Sequence, residues 1–344
     1  MVVNMNYDFN YWAMLEPMKY YDKKREDLSD NLKKKYDAMI TNENNEYITT
    51  CKYDGEWTMF IKWDGQYLIR SRSISKVTGA YGDKTAHLPH LVEEMKLWPN
   101  NTVILGEVCW GNFGTVSTDV GTILRCLPAK AVERQKERKL VVKMFDCLAL
   151  DGEVFTNTSY VNRYATAHNF ISPYTLRNNY FTMTMICPPD KTPAEFADEI
   201  ISQGGEGVVI QRADYVYEPG KRTAWKTLKL KQRLPEMEFK VVASIPATKE
   251  YNGKYPESWP YVIDGECVTK PYYYGWHMGV RFEYNGVMCD ASSGLTDADR
   301  EWLGTTEAQQ QIKNGELYVT IRAMQEASLG GLRHPVIVRL RNDM

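Results

Sequence analysis

Three features that would assign a class of protein directly are absent from this sequence. No run of eighteen apolar residues occurs, and the opening MVVNMNYDFNYW is not a basic stretch followed by an apolar one, so we expect neither a membrane span nor a secretion leader. The seven cysteines include no Cys-x-x-Cys pair, which argues against a disulfide framework and against a zinc site. The sequence therefore predicts reduced thiols in a cytoplasmic protein.

A strong charge of one sign is also absent. The formal net charge is −2 and the pI is about 6.3, so any contact with a nucleic acid would have to use local basic patches. With 344 residues, of which 43% are apolar, the chain is long enough for two folded domains.

The distribution of apolar residues predicts a helical lead-in, a domain of strands and helices, and a second domain that is mostly β. Residues 22–42 are charge-dense with apolar residues near helical spacing, which predicts one exposed helix. Strands are predicted at YITTCKY, EWTMFIK, QYLIRSR, TVILGEVCW, KLVVKMFDCLALDG, GGEGVVIQ and TAWKTLKLK. After Lys231 the short strands have the spacing of a small barrel, for which an oligonucleotide-binding (OB) fold is one option. We expect domains at 1–232, with 1–45 as the lead-in, and at 233–344.

The pattern Lys-x-Asp-Gly occurs twice, at Lys52 and at Lys62. In the second copy the Asp-Gly pair lies between two alternating strands, which predicts a hairpin turn and a structural position for Lys62. In the first copy Lys52 and Asp54 are two apart on a predicted strand and so face the same side, while Gly55 leaves room for close backbone approach. Lys52 is therefore the candidate nucleophile.

The Lys52 pattern is the first of a series of short motifs in a definite order. The series is Lys52-Tyr-Asp54-Gly55, Ser71-Arg72, Gly106-Glu107, Phe145-Asp146-x-Leu148, Glu206-Gly207-Val-Val, Trp225 and Lys229-Leu-Lys231. It resembles the nucleotidyltransferase motifs of ATP-dependent DNA ligases and mRNA capping enzymes. Near the C-terminus, VMCDASSGLTDAD and Arg333-His-Pro335-x-x-x-Arg339-Leu-Arg341 resemble the ligase barrel and the ligase ending, which capping enzymes lack. From about residue 45 onward the chain thus resembles a minimal two-domain ATP-dependent DNA ligase of the kind found in viruses and phages.

The resemblance implies an α+β fold, in which an adenylation domain of antiparallel sheets and helices is followed by a β-barrel OB-fold domain. It also implies the sealing of nicks through a lysyl-AMP, an adenylated 5′-phosphate and a new phosphodiester bond, in DNA replication, repair or recombination. ATP and Mg²⁺ would be required, with Mn²⁺ able to substitute for Mg²⁺. The partner would be nicked double-stranded DNA, the protein a monomer, and its location the host cytoplasm if a virus or phage encodes it.

The resemblance also assigns roles to individual side chains. Lys52 would take up AMP, supported by Asp54; Glu206 would bind the metal, Glu107 would accept the ribose hydroxyls, and Phe145 would stack on adenine. The remaining ATP contacts would be Arg72, Lys229 and Lys231, and the DNA contacts would be Arg72, Lys221, Arg222, Arg333 and Arg341. The charges of Lys229 and Lys231 should in addition lower the pKa of Lys52, because a lysine must be neutral to attack.

Three assignments have alternatives. Phe145 is also what a buried strand would contain. Glu153 and Glu266 match the family's Asp-Gly-Glu string better than Glu107 does, although the order of the motifs favours Glu107. The aromatic stretch from Tyr251 to Trp276 is either a DNA clamp or part of a barrel core.

The sequence departs from the family pattern in two places. The family's arginine five residues after the lysine is replaced by Trp57, so Arg72 or another cation would have to act near the nick phosphate. The terminal Arg-x-Asp-Lys reads Arg341-Asn-Asp343-Met344, without its lysine, which leaves the rate of adenylation open. The alternatives are an RNA ligase, which usually carries a different C-terminal domain, and a nick-binding protein that has lost catalysis.

Overall fold

The structure is a computed structural model that describes residues 7–75, 78–111, 113, 117–171, 180–231, 234–253, 256–323, 325–326 and 330–341. Contacts between residues divide it into two compact units, Met1–Lys231 and Gln232–Met344. In the described residues, no helix is both long and apolar enough to cross a membrane.

The N-terminal unit contains helices and strands that alternate along the chain. Its helices are α1 (Phe9–Met14), α2 (Asp30–Thr41), α3 (Pro89–Lys96), α4 (Ser117–Leu124), α5 (Pro128–Arg134), α6 (Tyr160–Ile171) and α7 (Pro193–Ser202). Its strands are β1 (Tyr47–Lys52), β2 (Glu56–Trp63), β3 (Gln66–Ile74), β4 (Tyr81–Asp83), β5 (Thr102–Cys109), β6 (Val141–Leu150), β7 (Glu153–Val154), β8 (Phe181–Met183), β9 (Gly207–Arg212) and β10 (Thr227–Lys231). Each strand predicted before residue 232 is present.

These strands form two sheets. A three-stranded antiparallel sheet has the order β1-β9-β10, and a seven-stranded sheet has the order β4-β3-β2-β5-β6-β7, with β8 parallel to β6. The small sheet buries Val208 and Ile210 against Met39 of α2 and Phe196 of α7. The large sheet packs one face on a cluster that includes residues of α3, α4, α5 and α6. The other face of the large sheet packs partly on α1, where Trp12 joins a second cluster with Met59 and Ile61 of β2.

The turn between β2 and β3 confirms the predicted hairpin. Asp64 and Gly65 have φ angles of 48° and 73°, the left-handed values that a type I′ turn requires at both central positions. Beside this turn, Lys62 is buried and its Nζ donates to the carbonyl oxygens of Lys96 and Trp98 at 2.9 and 2.6 Å. Lys62 therefore caps the end of α3, as its structural assignment predicted.

The prediction of one helix over residues 22–42 was wrong about where the helix begins. Helix α2 starts at Asp30, with Ser29 in the extended conformation of an N-cap. The preceding segment runs beside β10 instead: Tyr21 forms a parallel bridge with Leu228, and the N–H of Lys229 donates to the Tyr21 carbonyl at 2.9 Å. Within the predicted range, residues 25–28 form a turn, in which the N–H of Leu28 donates to the Arg25 carbonyl at 3.2 Å, and the helix begins only after it.

The C-terminal unit is mostly β, as the sequence predicted. Its strands are β11 (Met237–Pro246), β12 (Val262–Ile263), β13 (Glu266–Cys267), β14 (His277–Tyr284), β15 (Val287–Ala291), β16 (Tyr318–Arg322), β17 (Gln325–Glu326), β18 (Leu332–Arg333) and β19 (Val336–Arg341). A five-stranded sheet has the order β15-β14-β11-β16-β19. Helices α8 (Lys270–Tyr274), α9 (Asp297–Leu303) and α10 (Thr306–Asn314) were not predicted.

The aromatic stretch between β11 and β14 lies outside the core of this sheet. That core contains Phe282, Val319 and Ile321, whereas the aromatic rings pack on one another: Tyr251 stacks on Trp259 at 4.2 Å, and Tyr274 stacks on Trp276 at 4.7 Å. The barrel-core interpretation of this stretch is therefore wrong, and the DNA-clamp interpretation stays a prediction.

Candidate functional site

A cavity of about 580 Å³ lies in the N-terminal unit. The three-stranded sheet contributes one part of its wall, from β1, β9 and β10, and the large sheet contributes another, from β2, β3, β5 and β6. Of the predicted site residues, the cavity is lined by Lys52, Arg72, Glu107, Phe145 and Lys229. Four motifs far apart in sequence thus converge here with the candidate nucleophile.

The antiparallel pairing of β1 with β9 places Lys52 opposite Gly207. As a result the Lys52 ammonium forms an ion pair with the carboxylate of Glu206. Gly207 has a φ of 135°, and a Cβ atom there would overlap the carbonyl oxygen of Leu230 on β10. Glycine is therefore required after Glu206 for the small sheet to close behind the lysine.

The expectation that two lysines lower the pKa of Lys52 was wrong. Burial alone would lower the pKa of Lys52, but the carboxylates of Glu206, Glu107 and Asp54 outweigh burial and raise it. Asp54 exerts this effect from the bend that follows β1, because the strand ends at Lys52 and does not include Asp54. In this structure Lys52 is therefore a paired ammonium, and it must lose a proton before it can act as a nucleophile.

The lysine with a lowered pKa is Lys229. Burial, together with the nearby charges of Lys52 and Arg72, lowers the pKa of Lys229 to about 8. Its neighbour Lys231 does not line the cavity; its Nζ lies 3.0 Å from Asp22. The two lysines, predicted to act together on phosphates, thus have different partners here.

Glu107 enters the cavity from β5, where the backbone at Gly55 lies close to the backbone of Val108. Its Oε1 accepts the N–H of Gly55 at 3.1 Å, and a Cβ atom at Gly55 would overlap the carbonyl oxygen of Val108. The predicted close approach at Gly55 is confirmed. The pKa of Glu107 is raised to about 7, chiefly by burial and also by the charges of Glu206 and Asp54, against the opposing charge of Lys52.

Phe145 lines the cavity from β6, and the next residue fixes the strand behind it. Asp146 is 2% exposed and accepts two hydrogen bonds from the fully buried guanidinium of Arg163, at 2.8 and 3.1 Å. Arg163 also donates to the carbonyl oxygens of Thr158 and Tyr215 at 2.6 and 3.0 Å. The Phe-Asp motif thus supplies one side chain to the cavity and one to a buried ion pair.

Other cations lie around the position where the family's arginine is replaced. Trp57 is buried and lines the cavity. The wall near it also contains Arg72, whose Nη2 donates to the Met18 carbonyl at 3.1 Å, and Arg125, which donates from Nε and Nη2 to Glu56 at 3.1 and 2.9 Å. Arg125 reaches the wall from the segment after α4, which no motif indicated.

The other predicted residues lie elsewhere. Lys221 and Arg222 are exposed on the N-terminal unit and do not line the cavity. Arg333 and Arg341 belong to the C-terminal unit, where Arg341 pairs with Glu238; Asp343 and Met344 lie outside the described residues. Neither alternative to Glu107 lines the cavity: Glu153 is exposed on β7, and Glu266, in the C-terminal unit, pairs with Lys249.

Sequence reasoning missed several residues of the wall. The most prominent are Tyr20, Tyr160, Thr184 and Gln211. Gln211 could have been found, because it follows Val209 by two on β9 and so shares its face. Tyr20 could not, because the segment that carries it has no motif and reaches the cavity only by its pairing with β10.

Residues 27–231 match the family model of the ATP dependent DNA ligase domain. The match covers well over half of the chain. This chain belongs to the ATP-dependent DNA ligase family. Among curated relatives, the DNA ligase of Methanococcus maripaludis is 25% identical over 348 aligned positions, which cover 89% of this chain and 54% of that protein. The DNA ligase of Thermococcus fumicolans is 25% identical over 197 residues, 56% of this chain and 34% of that protein.

The chain therefore spans between about a third and about half of the length of these ligases. A solved structure of a Lig E DNA ligase superposes with a TM-score of 0.60 at 18% identity, covering 95% of this chain and 99% of that chain. This likeness shows that the two proteins share a fold. Lys52 and Glu107 line one cavity, and the Glu206 carboxylate contacts the Lys52 ammonium.

Mg²⁺, which the family implies, fits this site only as an ion shared with a substrate. The described residues contain no group of three or more His, Cys, Asp or Glu side chains that could hold a metal. Mg²⁺ usually takes one or two carboxylates and completes its shell with waters and substrate phosphates. Glu206, the predicted metal-binding residue, would supply one such carboxylate beside Lys52.

Proposed function

We propose that this chain is an ATP-dependent DNA ligase that seals nicks in duplex DNA through a covalent Lys52–AMP intermediate. The observation that carries this proposal is the convergence of Lys52, Glu107, Phe145 and Lys229 on one cavity, with Glu206 in contact with the lysine. Membership of the ligase family supports the same activity.

In the first step the Lys52 amine attacks the α-phosphate of ATP. A phosphorus–nitrogen bond forms, the bond between the α- and β-phosphates breaks, and pyrophosphate leaves. The proton that Lys52 must first release faces the Glu206 carboxylate, which is the acceptor already in contact with it. Bound Mg²⁺ would offset the charge of the phosphates and of the two carboxylates that now hold the lysine as an ammonium.

The other wall residues position the nucleotide for this attack. Lys229 and Arg72 face the phosphates as cations, Glu107 accepts the ribose hydroxyls through the carboxylate that Gly55 orients, and Phe145 stacks on the base. Lys231 joins Lys229 on the phosphates after leaving Asp22. Asp54 adds negative charge beside Lys52 and supports the metal-dependent steps.

In the later steps AMP moves to the 5′-phosphate at a nick, and the 3′-hydroxyl then displaces it. Arg72, Lys221, Arg222, Arg333 and Arg341 are the proposed DNA contacts. Since Trp57 replaces the family's arginine, we propose that Arg125 is the cation that takes its place beside the nick phosphate, because Arg125 lines the cavity and pairs with Glu56, the residue before Trp57.

The C-terminal unit is proposed to be an OB-fold domain, at residues 233–344, beside an adenylation domain at residues 1–232. Its five-stranded antiparallel sheet supports this assignment. So does a parallel bridge between Ser293, just after β15, and Val336 of β19, which joins the two edges of the sheet as in a closed barrel. We propose that the whole chain acts as a monomer.

Nick sealing tests the proposal. The chain is incubated with ATP, Mg²⁺ and a labelled duplex that contains one nick, and the sealed strand is measured on a denaturing gel. Lys52→Ala should abolish sealing, while Lys62→Ala, in the second copy of the same pattern, should retain it in the fraction that folds. A protein that seals nicked RNA but not nicked DNA would be an RNA ligase, and one that binds the nick without releasing pyrophosphate would contradict an enzymatic role.

A further inference from the structure

Asp22 places a carboxylate on the cavity face of the three-stranded sheet, and it precedes residues 27–231, which match the family model. The segment that carries it pairs in parallel with β10, through the bridge of Tyr21 with Leu228. Side chains alternate between the two faces of a sheet. Tyr21 packs against the core behind the small sheet, whereas Tyr20 lines the cavity, so Asp22 shares the cavity face with Tyr20.

The register of the small sheet puts Lys52 and Lys231 in one row. Gly207 of β9 is opposite Lys52 on β1 and opposite Lys231 on β10, so these lysines are two strand spacings apart, about 10 Å. Lys231 is on the cavity face, because it follows the cavity-lining Lys229 by two residues. The residue between the two lysines of the row is a glycine, so no side chain of this row separates them.

The row gives the outer phosphates of ATP a direction in which to lie. In a nucleotidyl transfer the attacking and leaving groups are roughly in line, so pyrophosphate departs on the side of the α-phosphate that is opposite the Lys52 amine. Lys229 and Lys231 are the cations that β10 contributes across the sheet from Lys52. A triphosphate whose α-phosphorus meets the Lys52 amine can thus extend across Gly207 toward these two lysines.

The chain itself already supplies an anion at the far end of this row. An oxygen of the Asp22 carboxylate lies 3.0 Å from the Lys231 Nζ, and the Lys231 side chain is only 8% exposed. Asp22 also acts on Lys229: burial is the main cause that lowers the pKa of Lys229, and the charge of Asp22 opposes it. A phosphate oxygen that reaches Lys231 must therefore displace the Asp22 carboxylate or lie beside it against charge repulsion.

We propose that Asp22 competes with pyrophosphate for Lys231, and so favours the release of pyrophosphate and opposes the reversal of lysine adenylation. The inference rests on the proposed function, because it takes Lys52 as the AMP acceptor. In the reverse step an oxygen of pyrophosphate forms a bond to the phosphorus of the lysyl-AMP. The phosphorus–nitrogen bond breaks, the lysine nitrogen regains a proton from Glu206, and ATP leaves. Asp22 disfavours this step by holding Lys231 and by repelling the pyrophosphate anion.

The test measures the affinity of the AMP-free chain for inorganic pyrophosphate by calorimetry, with Mg²⁺ in fixed excess. Asp22→Asn keeps the size of the side chain but not its charge, and it should bind pyrophosphate about 5- to 50-fold more tightly than the wild-type chain. Asp22→Glu, which keeps the charge, should stay within about threefold of wild type. Affinity for AMP, which has no outer phosphates, should change by less than about threefold in Asp22→Asn; a change equal to that for pyrophosphate would overturn the proposal.

Asp30→Asn is the matched control. Asp30 also pairs with a lysine, Lys33, at 3.2 Å, but its side chain is 94% exposed on α2. This variant removes the same charge from the chain and should leave the affinity for pyrophosphate within about twofold of wild type. Equal tightening in Asp30→Asn and Asp22→Asn would reveal a general effect of net charge and would contradict a specific role of Asp22.

The reverse reaction gives a second measurement. The chain labelled with AMP is freed of ATP and pyrophosphate and then mixed with increasing concentrations of pyrophosphate. The concentration that gives half-maximal release of ATP should fall in Asp22→Asn by the factor measured for the affinity. A tighter affinity without this fall would overturn the claim about reversal.

The failure of the inference can be told apart from the failure of the proposed function. An unchanged or weaker affinity for pyrophosphate in Asp22→Asn overturns the inference and leaves the ligase proposal intact. If the wild-type chain takes up no AMP, the proposed function has failed, and the calorimetric affinities alone decide whether Asp22 competes with pyrophosphate. If Asp22→Asn does not fold, Asp22→Ser takes its place with the same expected result.

Discussion

Replacing Arg163 by methionine should destabilise the N-terminal unit more than any exposed charge substitution. The change removes the cation but keeps an apolar side chain of similar length, so the Asp146 carboxylate stays buried at 2% exposure without its partner. Arg163 makes four hydrogen bonds, two to Asp146 and one each to Thr158 and Tyr215. Breaking a buried pair by removing one partner costs about 3–5 kcal/mol.

Arg281→Met is the matched control. Arg281 forms a similar two-bond pair with Asp290, at 2.6 and 2.8 Å, but both side chains are 48% exposed. An exposed pair contributes about 0–1 kcal/mol, so this variant should lie close to wild type. Both pairs join Nε and Nη2 to the two carboxylate oxygens, so the difference between the variants measures burial together with the two carbonyl bonds of Arg163.

Urea unfolding followed by circular dichroism gives the free energies, with scanning calorimetry used to separate transitions if the two units unfold independently. Adding Asp146→Leu to Arg163→Met should recover part of the loss, because the unpaired charge is then gone. The reasoning would be refuted if Arg163→Met cost no more than Arg281→Met, or if the double variant were less stable than Arg163→Met.

Three further predictions concern titration, backbone geometry and DNA binding. The pKa of Lys229 is lowered to about 8, so its charge is present below that pH and is lost above it. Affinity for ATP, measured by calorimetry, should therefore fall by up to about tenfold per pH unit above pH 8. In Lys229→Arg, which stays charged, the affinity should not change with pH in this range, and parallel profiles for the two proteins would contradict the assignment. Gly207→Ala should destabilise the N-terminal unit by more than about 2 kcal/mol, against about 1 kcal/mol for Gly204→Ala. Both glycines have a positive φ, but only at Gly207 would a Cβ atom meet backbone atoms. Equal losses in the free energy of urea unfolding would contradict the role given to Gly207. Binding of nicked duplex should weaken with salt, and Lys221→Ala and Arg222→Ala should each reduce the slope of log affinity against log salt by about 0.9. Lys136→Ala, at a surface lysine paired with Glu133, should leave this slope unchanged. An unchanged slope in the first two variants would exclude Lys221 and Arg222 as phosphate contacts.

Local patterns predicted local structure well. The Asp-Gly turn at residues 64 and 65 and the strands of the N-terminal unit follow from alternation and turn chemistry over fewer than ten residues. The start of α2 was wrong because residues 25–28 form a turn, and just before them Tyr21 pairs with Leu228, about two hundred residues away. No periodicity within the segment contains that information.

The sequence predicted which residues form the site, but not the direction in which the pKa of Lys52 shifts. The order of the motifs brought Lys52, Glu107, Phe145 and Lys229 into one predicted site, and the structure places all four around one cavity. The ion pair of Lys52 with Glu206 reverses the predicted direction of the pKa shift. That direction depends on which charges lie within a few ångströms, a distance that a motif does not specify.

The most direct test of the central claim is the mass of the peptide that carries Lys52 after the protein has been incubated with ATP and Mg²⁺. The account predicts one adenylyl group on that peptide, assigned to the Lys52 side chain by fragmentation, present in Lys62→Ala and absent from Lys52→Ala. An adenylyl group found on a different lysine, or none on any peptide of a folded protein, would contradict it.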